Sequence, residues 1–245
     1  MVALLPRGKP LNRPAVAPAT PAACAALLNE QAKTSEQIMA EHSPAETEIT
    51  SLAQARAAAR SCTRCPLYEH ATQTVFGEGP RDALVMFVGE QPGDKEDLAG
   101  KPFIGPAGKV LDEAVEKTGI DRRRVYVTNA VKHFKFVPRG KRRLHQRPDG
   151  GEIQACKFWL ELEIAFIKPK IIVALGATAA RSLLGKTVTI GKLRGAPIKR
   201  DDGATLFVTN HPSYLLRIRD KADQARERAR FEEELSMVRS AIPAP

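Results

Sequence analysis

Four short apolar runs, separated by stretches of helical periodicity, restrict this chain to a small set of folds. ALVMFVG (83–89), RVYVTNAV (124–131), KIIVAL (170–175) and TLFVTN (205–210) have the length and composition of strands rather than core helices. Between them, at about 106–118, 151–167 and 177–185, apolar residues recur at helical spacing. Unbroken apolar strands alternating with helices predict an α/β domain with a central, largely parallel four-stranded sheet. One more helix is expected before the CxxC of Cys62 and Cys65. A charged helix after the fourth run carries Phe231, Leu235 and Val238 on one face. No internal repeat is present.

In such sheets ligands bind beyond the carboxyl ends of the strands, so the polar residues found there carry information. The first run leads into GEQPGDKED, the second ends at Asn129, and the fourth leads into NHPS. Glu90, Asn129 and His211 therefore point to one rim. Taken singly, Glu90 could cap a helix, Asn129 could sit in a turn and His211 could be a satisfied loop histidine. Their equivalent positions favour a shared site. Glycines 100, 105 and 108 would let backbone approach a ligand just before a helix that begins at Pro106. Phe103 among them is either a core plug or a stacking platform. A nucleoside triphosphate loop is excluded, because Ala180 stands where the sequence leading to Gly185, Lys186 and Thr187 would need its first glycine.

Charge indicates the partner. The net charge is +10, and residues 122–148 contain ten Lys or Arg and no acid. Unopposed cations at that density fit a polyanion, with a solvated face as the plain alternative. Within this segment KRRLHQRP sets His145 among Lys141, Arg142, Arg143 and Arg147. Four unevenly placed cysteines do not form a secreted disulfide framework, and no apolar run reaches membrane-spanning length, so a cytoplasmic, monomeric protein is expected. Residues 1–47 read as a tail with one short helix near 23–40. Five prolines before Ala22 argue against a targeting helix there. The domain is then expected over 48–242.

CTRCPLY, VFGEGP, FVGEQPGDKEDLAGKPFIGPAG, YVTNAVKHFKF, ALGATAARSLLG and VTNHPS, in this order, resemble the iron-sulfur uracil-DNA glycosylases over about residues 50–240. The inserted GKRRLHQRP resembles the loop of the X-type (UdgX-like) branch. So do Gln91, where the wider family usually has Ala, and His133, where it has a cluster cysteine. The resemblance implies a three-layer α/β/α sandwich. Three cysteines and a histidine suit tetrahedral zinc as well as an iron-sulfur cluster. Between the two, the resemblance implies a structural 4Fe-4S cluster on Cys62, Cys65, His133 and Cys156. Cys24 is left over.

The expected chemistry is excision of uracil from DNA, single- or double-stranded. Phe103 stacks on the flipped base beside Gly89, and the Asn129 amide matches the imide edge of uracil. His211 donates to the departing base and Glu90 stabilises an oxocarbenium-like sugar. Gln91 and Asp94 complete the rim, and the loop from Asp94 to Phe103 is where the thymine methyl would be excluded. A neutral imidazole held near the anomeric carbon outcompetes water, so His145 is expected to capture the sugar and leave the protein attached to DNA. Lys141, Arg142 and Arg147 would grip phosphate, while Arg143 fixes either the loop or a phosphate. Two other readings are an ordinary multiple-turnover glycosylase with a phosphate-gripping loop, and a non-catalytic metal-containing nucleic-acid-binding protein.

Overall fold

The computed structural model describes residues 49–243. The expected tail, its short helix and Cys24 lie outside the described residues.

Helix α1 (Leu52–Ala59) begins at Ser51, whose hydroxyl accepts from the Gln54 N–H, and it precedes the CxxC as expected. Strand β1 (Val85–Gly89) is followed by α2 (Asp94–Ala99) and α3 (Pro106–Lys117). Next come β2 (Val125–Asn129), the hairpin strands β3 (Phe136–Arg139) and β4 (Arg142–His145), and the long helix α4 (Gly150–Ile167). Strand β5 (Ile171–Leu175), α5 (Ala177–Leu184), α6 (Ile190–Leu193), β6 (Ile198–Lys199) and β7 (Thr205–Thr209) follow. The described chain finishes with α7 (Pro212–Arg217) and α8 (Lys221–Ala241).

The main sheet has the order β2-β1-β5-β7-β6. Its four long strands are parallel and match the four apolar runs. A two-residue antiparallel edge strand, β6, makes the sheet five-stranded rather than four-stranded. Strand alternation divides the core into two layers. Val85, Phe87, Val127 and Val173 face α3 and α8, where Leu111, Phe231, Leu235 and Val238 are buried. Met86, Val88, Tyr126 and Ile172 face the opposite way, toward Leu160 of α4 and Ala179 and Ala180 of α5. This is a three-layer sandwich. A third cluster joins α1 to α4 and contains Cys65, Cys156 and Trp159.

Two local readings need correction. The basic segment is an antiparallel hairpin rather than an open loop, with Phe136 paired to His145 and Val137 to Leu144. The glycines before α3 make room for the protein itself, not for a ligand. A Cβ on Gly108 would lie 1.6 Å from the Phe103 carbonyl oxygen, and one on Gly105 would lie 2.8 Å from the Glu96 carboxylate. The first neighbour belongs to the tight turn into α3, and the second is the side chain of Glu96 on α2.

Candidate active site

The carboxyl ends of the parallel strands open into a cavity of about 930 Å³, lined by Glu90, Gln91, Asp94, Phe103, Asn129, His145, Arg147 and His211. All three rim residues expected from the strand ends therefore meet. Gly89 makes the floor thin. A Cβ there would fall 2.3 Å from Asn129 Oδ1 and 2.7 Å from the Phe103 ring, so only glycine lets both side chains converge. Phe103 is held in the left-handed region (φ 57°), which is uncommon for a bulky residue, and its ring stacks toward His211 with centroids 6.1 Å apart.

His211 caps α7. Its Nδ1 accepts the Ser213 N–H (3.2 Å) and lies 2.9 Å from Ser213 Oγ, which in turn accepts from Arg217 (2.9 Å). Because Nδ1 accepts the Ser213 N–H it carries no proton, so the Ser213 hydroxyl donates to it as well and the ring proton sits on Nε2. Burial pushes the His211 pKa down to about 4, helped by the charge of Arg217 and opposed by Glu90. His211 is thus a neutral donor at neutral pH.

Glu90 is the carboxylate of the cavity wall that His145 and Arg147 approach. Burial alone would raise its pKa, but hydrogen bonds from His145 and Thr178, with the charge of Arg147, bring it to about 2. The Thr178 hydroxyl at the start of α5 donates to Oε2, His145 Nε2 lies 3.3 Å from Oε1, and Arg147 Nε lies 3.6 Å from Oε2.

The hairpin carrying His145 is held at two levels. At its base, the Gln91 amide donates to the carbonyls of Lys135 (3.1 Å) and Gln146 (3.0 Å) and accepts the Lys135 N–H (3.0 Å). Higher up, Arg143 turns inward. Its guanidinium donates to Asp94 (2.6 Å), Asp97 (2.6 Å) and Thr72 (3.1 Å), and lies over Phe134 and Phe136. Arg143 and Asp94 therefore anchor the hairpin. Lys141 and Arg142 remain exposed near its tip, and the Arg147 side chain is also exposed.

Burial holds Cys65 above its usual range and Cys156 up to about 12, and the sulfurs lie close enough that Cys62 adds to the cost of charging Cys65 and both add to that of charging Cys156. Two sulfurs have N–H donors aimed at them: the Trp159 indole at Cys62 (3.1 Å) and the Lys132 backbone at Cys156 (3.1 Å). Such donors suit thiolates bound to a metal. His133 is buried nearby, with Nε2 2.9 Å from Thr74 Oγ1. Among the described residues no three His, Cys, Asp or Glu side chains form a ready-made metal cage. The sulfur set fits a soft metal or cluster, while His133 bonds Thr74.

Sequence reasoning missed Thr178, Ser213, Arg217 and Asp97. Thr178 and Ser213 sit within quoted motifs, one at a helix start and the other two residues after His211. Asp97 also sits within a quoted motif, but nothing in the motif marks its role, which depends on a partner 46 residues away.

Residues 76–236 match the family model described as the uracil DNA glycosylase superfamily. The chain is 45% identical over 161 residues to a type-4 uracil-DNA glycosylase of Thermotoga maritima, covering 65% of this chain and 80% of that protein. A type-4 enzyme of Pyrobaculum aerophilum is 36% identical over 165 residues, covering 64% and 81%. A type-5 uracil-DNA glycosylase of the same organism is 31% identical over 187 residues, covering 63% and 79%.

Proposed function

The chain belongs to the uracil-DNA glycosylase superfamily, and from that premise we propose that it excises uracil from DNA and is then captured on the abasic sugar through His145. The observation that carries the second half is the placement of His145 Nε2 3.3 Å from Glu90 Oε1, on a hairpin clamped at both levels. Among the described residues no helix is long and apolar enough to cross a membrane.

Excision breaks the bond between the sugar C1′ and uracil N1, and the electron pair leaves with the base. The Asn129 amide reads the imide edge, Phe103 stacks on the ring, and the Nε2–H of His211 donates to a uracil carbonyl as negative charge develops. Glu90, ionised and beside the sugar, stabilises the positive C1′. Uracil-containing DNA is the partner, held by Lys141, Arg142 and Arg147 on the exposed surface.

The cation is then captured by nitrogen instead of water. His145 reacts as the tautomer whose ring proton is on Nδ1, reached by proton exchange with solvent, so that Nε2 carries the lone pair and Glu90 stays ionised. That pair forms the bond to C1′, and the positive charge is lost when Nδ1 releases its proton. Proximity supports the competition against water, since a ring already held at the mouth of the site has a high effective concentration.

Cys62, Cys65, His133 and Cys156 would hold a 4Fe-4S cluster, which would tie the segment before β1 to the hairpin and α4. His133 would have to exchange Thr74 for the metal.

The test combines uracil-containing single-stranded DNA with the protein, a denaturing gel, and intact-mass measurement. A covalent species with the mass of protein plus uracil-containing DNA less one uracil, that is, one water lighter than protein plus abasic DNA, is expected, and His145→Ser should abolish it while releasing abasic product. Uracil release in molar excess over the unaltered protein, with no adduct, would refute capture and leave ordinary turnover. No uracil release at all would refute the glycosylase reading.

A further inference from the structure

We propose that Lys132 and Glu163 are positioning residues for uracil recognition: a buried ion pair that fixes, from beneath, the turn carrying Asn129. The inference rests on the proposed glycosylase function and adds to it two residues outside the cavity wall.

Both side chains are wholly buried, with Nζ 2.5 Å from Glu163 Oε2. The ammonium also donates to Thr128 Oγ1 (2.7 Å) and to the carbonyl oxygen of Asn129 (2.8 Å), so all three of its protons are used. Glu163 is equally committed. Its oxygens accept from the Tyr126 hydroxyl (3.0 Å), the Thr128 hydroxyl (2.8 Å) and the backbone N–H of Gly77 (2.8 Å). Gly77 must be glycine for this approach, since a Cβ would lie 2.5 Å from Glu163 Oε1 and 2.3 Å from the Tyr126 ring.

A fully desolvated ion pair adds little net stability, because apolar side chains of similar volume commonly do as well or better. What apolar side chains cannot do is grip a carbonyl in a fixed direction. The gripped carbonyl belongs to Asn129. From the other side, the same turn is bound to the end of β1, with the Ala130 N–H donating to Gly89 (2.9 Å) and the Val131 N–H to Glu90 (3.0 Å). The turn is thus pinned between the ion pair and the backbone of the catalytic rim. A third hold comes from the Lys132 N–H on Cys156, since α4 carries both Cys156 and Glu163. Movement of the Asn129 carbonyl would tilt its amide over Gly89, where a Cβ would already lie only 2.3 Å from Oδ1.

The test removes both charges together with Lys132→Met/Glu163→Gln, so that no unpaired charge is left buried. Uracil release from single-stranded DNA is followed with protein in excess, which separates the maximal rate from the half-saturating protein concentration whether or not an adduct forms. The maximal rate is expected to fall about 10- to 100-fold, the cost of misplacing a recognition group by an ångström or less. Half-saturation, governed by surface cations, should stay unchanged, and inhibition by free uracil should weaken. Thr128→Val, which keeps the shape and deletes the bridging hydroxyl, should show the same pattern more weakly and serves if the double variant does not fold. A folded variant with the full maximal rate and full inhibition by uracil would overturn the inference alone. Absence of uracil release from the unaltered chain would overturn it together with the proposed function.

Discussion

Arg143→Met should uncouple capture of the sugar from excision of the base. Arg143 lies two residues before His145 on β4 and ties that strand to Asp94 and Asp97. The Asp97 side chain is wholly buried; among the described residues it accepts, apart from Arg143, only the Thr72 N–H, at 3.0 and 3.1 Å. Removing one member of a buried pair costs about 3–5 kcal/mol. The Arg143 side chain keeps 21% of its exposure, and lifting the hairpin would admit water to Asp97, so the low end, about 3 kcal/mol, applies. At about 1.4 kcal/mol per decade, the docked-to-undocked ratio falls roughly 100-fold.

Gln91 still holds the hairpin base, and Glu90, Asn129 and His211 keep their own supports. Uracil release should therefore stay near the unaltered rate, while the ratio of covalent adduct to free abasic DNA drops by up to about 100-fold. The assay quantifies released uracil and gel-resolved adduct from one reaction. An adduct ratio equal to that of the unaltered protein would refute the clamp. Uracil release and adduct falling by the same factor would show that Arg143 serves DNA binding or bond cleavage instead.

Gly108→Ala drives a Cβ into the Phe103 carbonyl, and neither backbone can yield without moving the stacking ring. It should destabilise by about 1–3 kcal/mol, read as a lower Tm, and raise the concentration of free uracil needed for inhibition. Acid should weaken the fold through His211. Its folded pKa of about 4 lies below the ordinary 6.5, so unfolding takes up a proton between those values and the stability contribution is lost as pH falls. That amounts to about 2 kcal/mol between pH 7 and pH 5, and His211→Asn should flatten urea midpoints over that range. Glu90, with a folded value of about 2 against 4.5, adds a further loss only below that window. Protein purified without air should contain about four irons and four acid-labile sulfides per chain, and Cys156→Ser should lose them with a lowered Tm. Zinc without sulfide would refute the cluster.

Much of the architecture was legible because each relevant signal is local. Buried parallel strands need unbroken apolar runs, and the helices that cover them need apolar stripes at helical spacing, so the runs at 83–89, 124–131, 170–175 and 205–210 fell on the four long strands. A polar residue where such a run stops must lie at the sheet's rim, which is why Glu90, Asn129 and His211 could be placed in one cavity. The edge strand β6 was not legible: two residues carry no period.

The sequence by itself determined the element types, the rim and the cationic segment, since these depend on hydrophobic spacing and charge counted along the chain. Only the tertiary structure decided what each cation does. Hairpin pairing sends Arg143 inward to Asp97 and leaves Arg142 outside, though the two are adjacent and chemically alike. Lys132, one charge among ten in that segment, becomes fully buried because Glu163, 31 residues later on α4, meets it under the sheet. A charge is buried at tolerable cost only when a partner and hydrogen bonds converge on it, and that convergence is set by packing between elements, which local periodicity does not record.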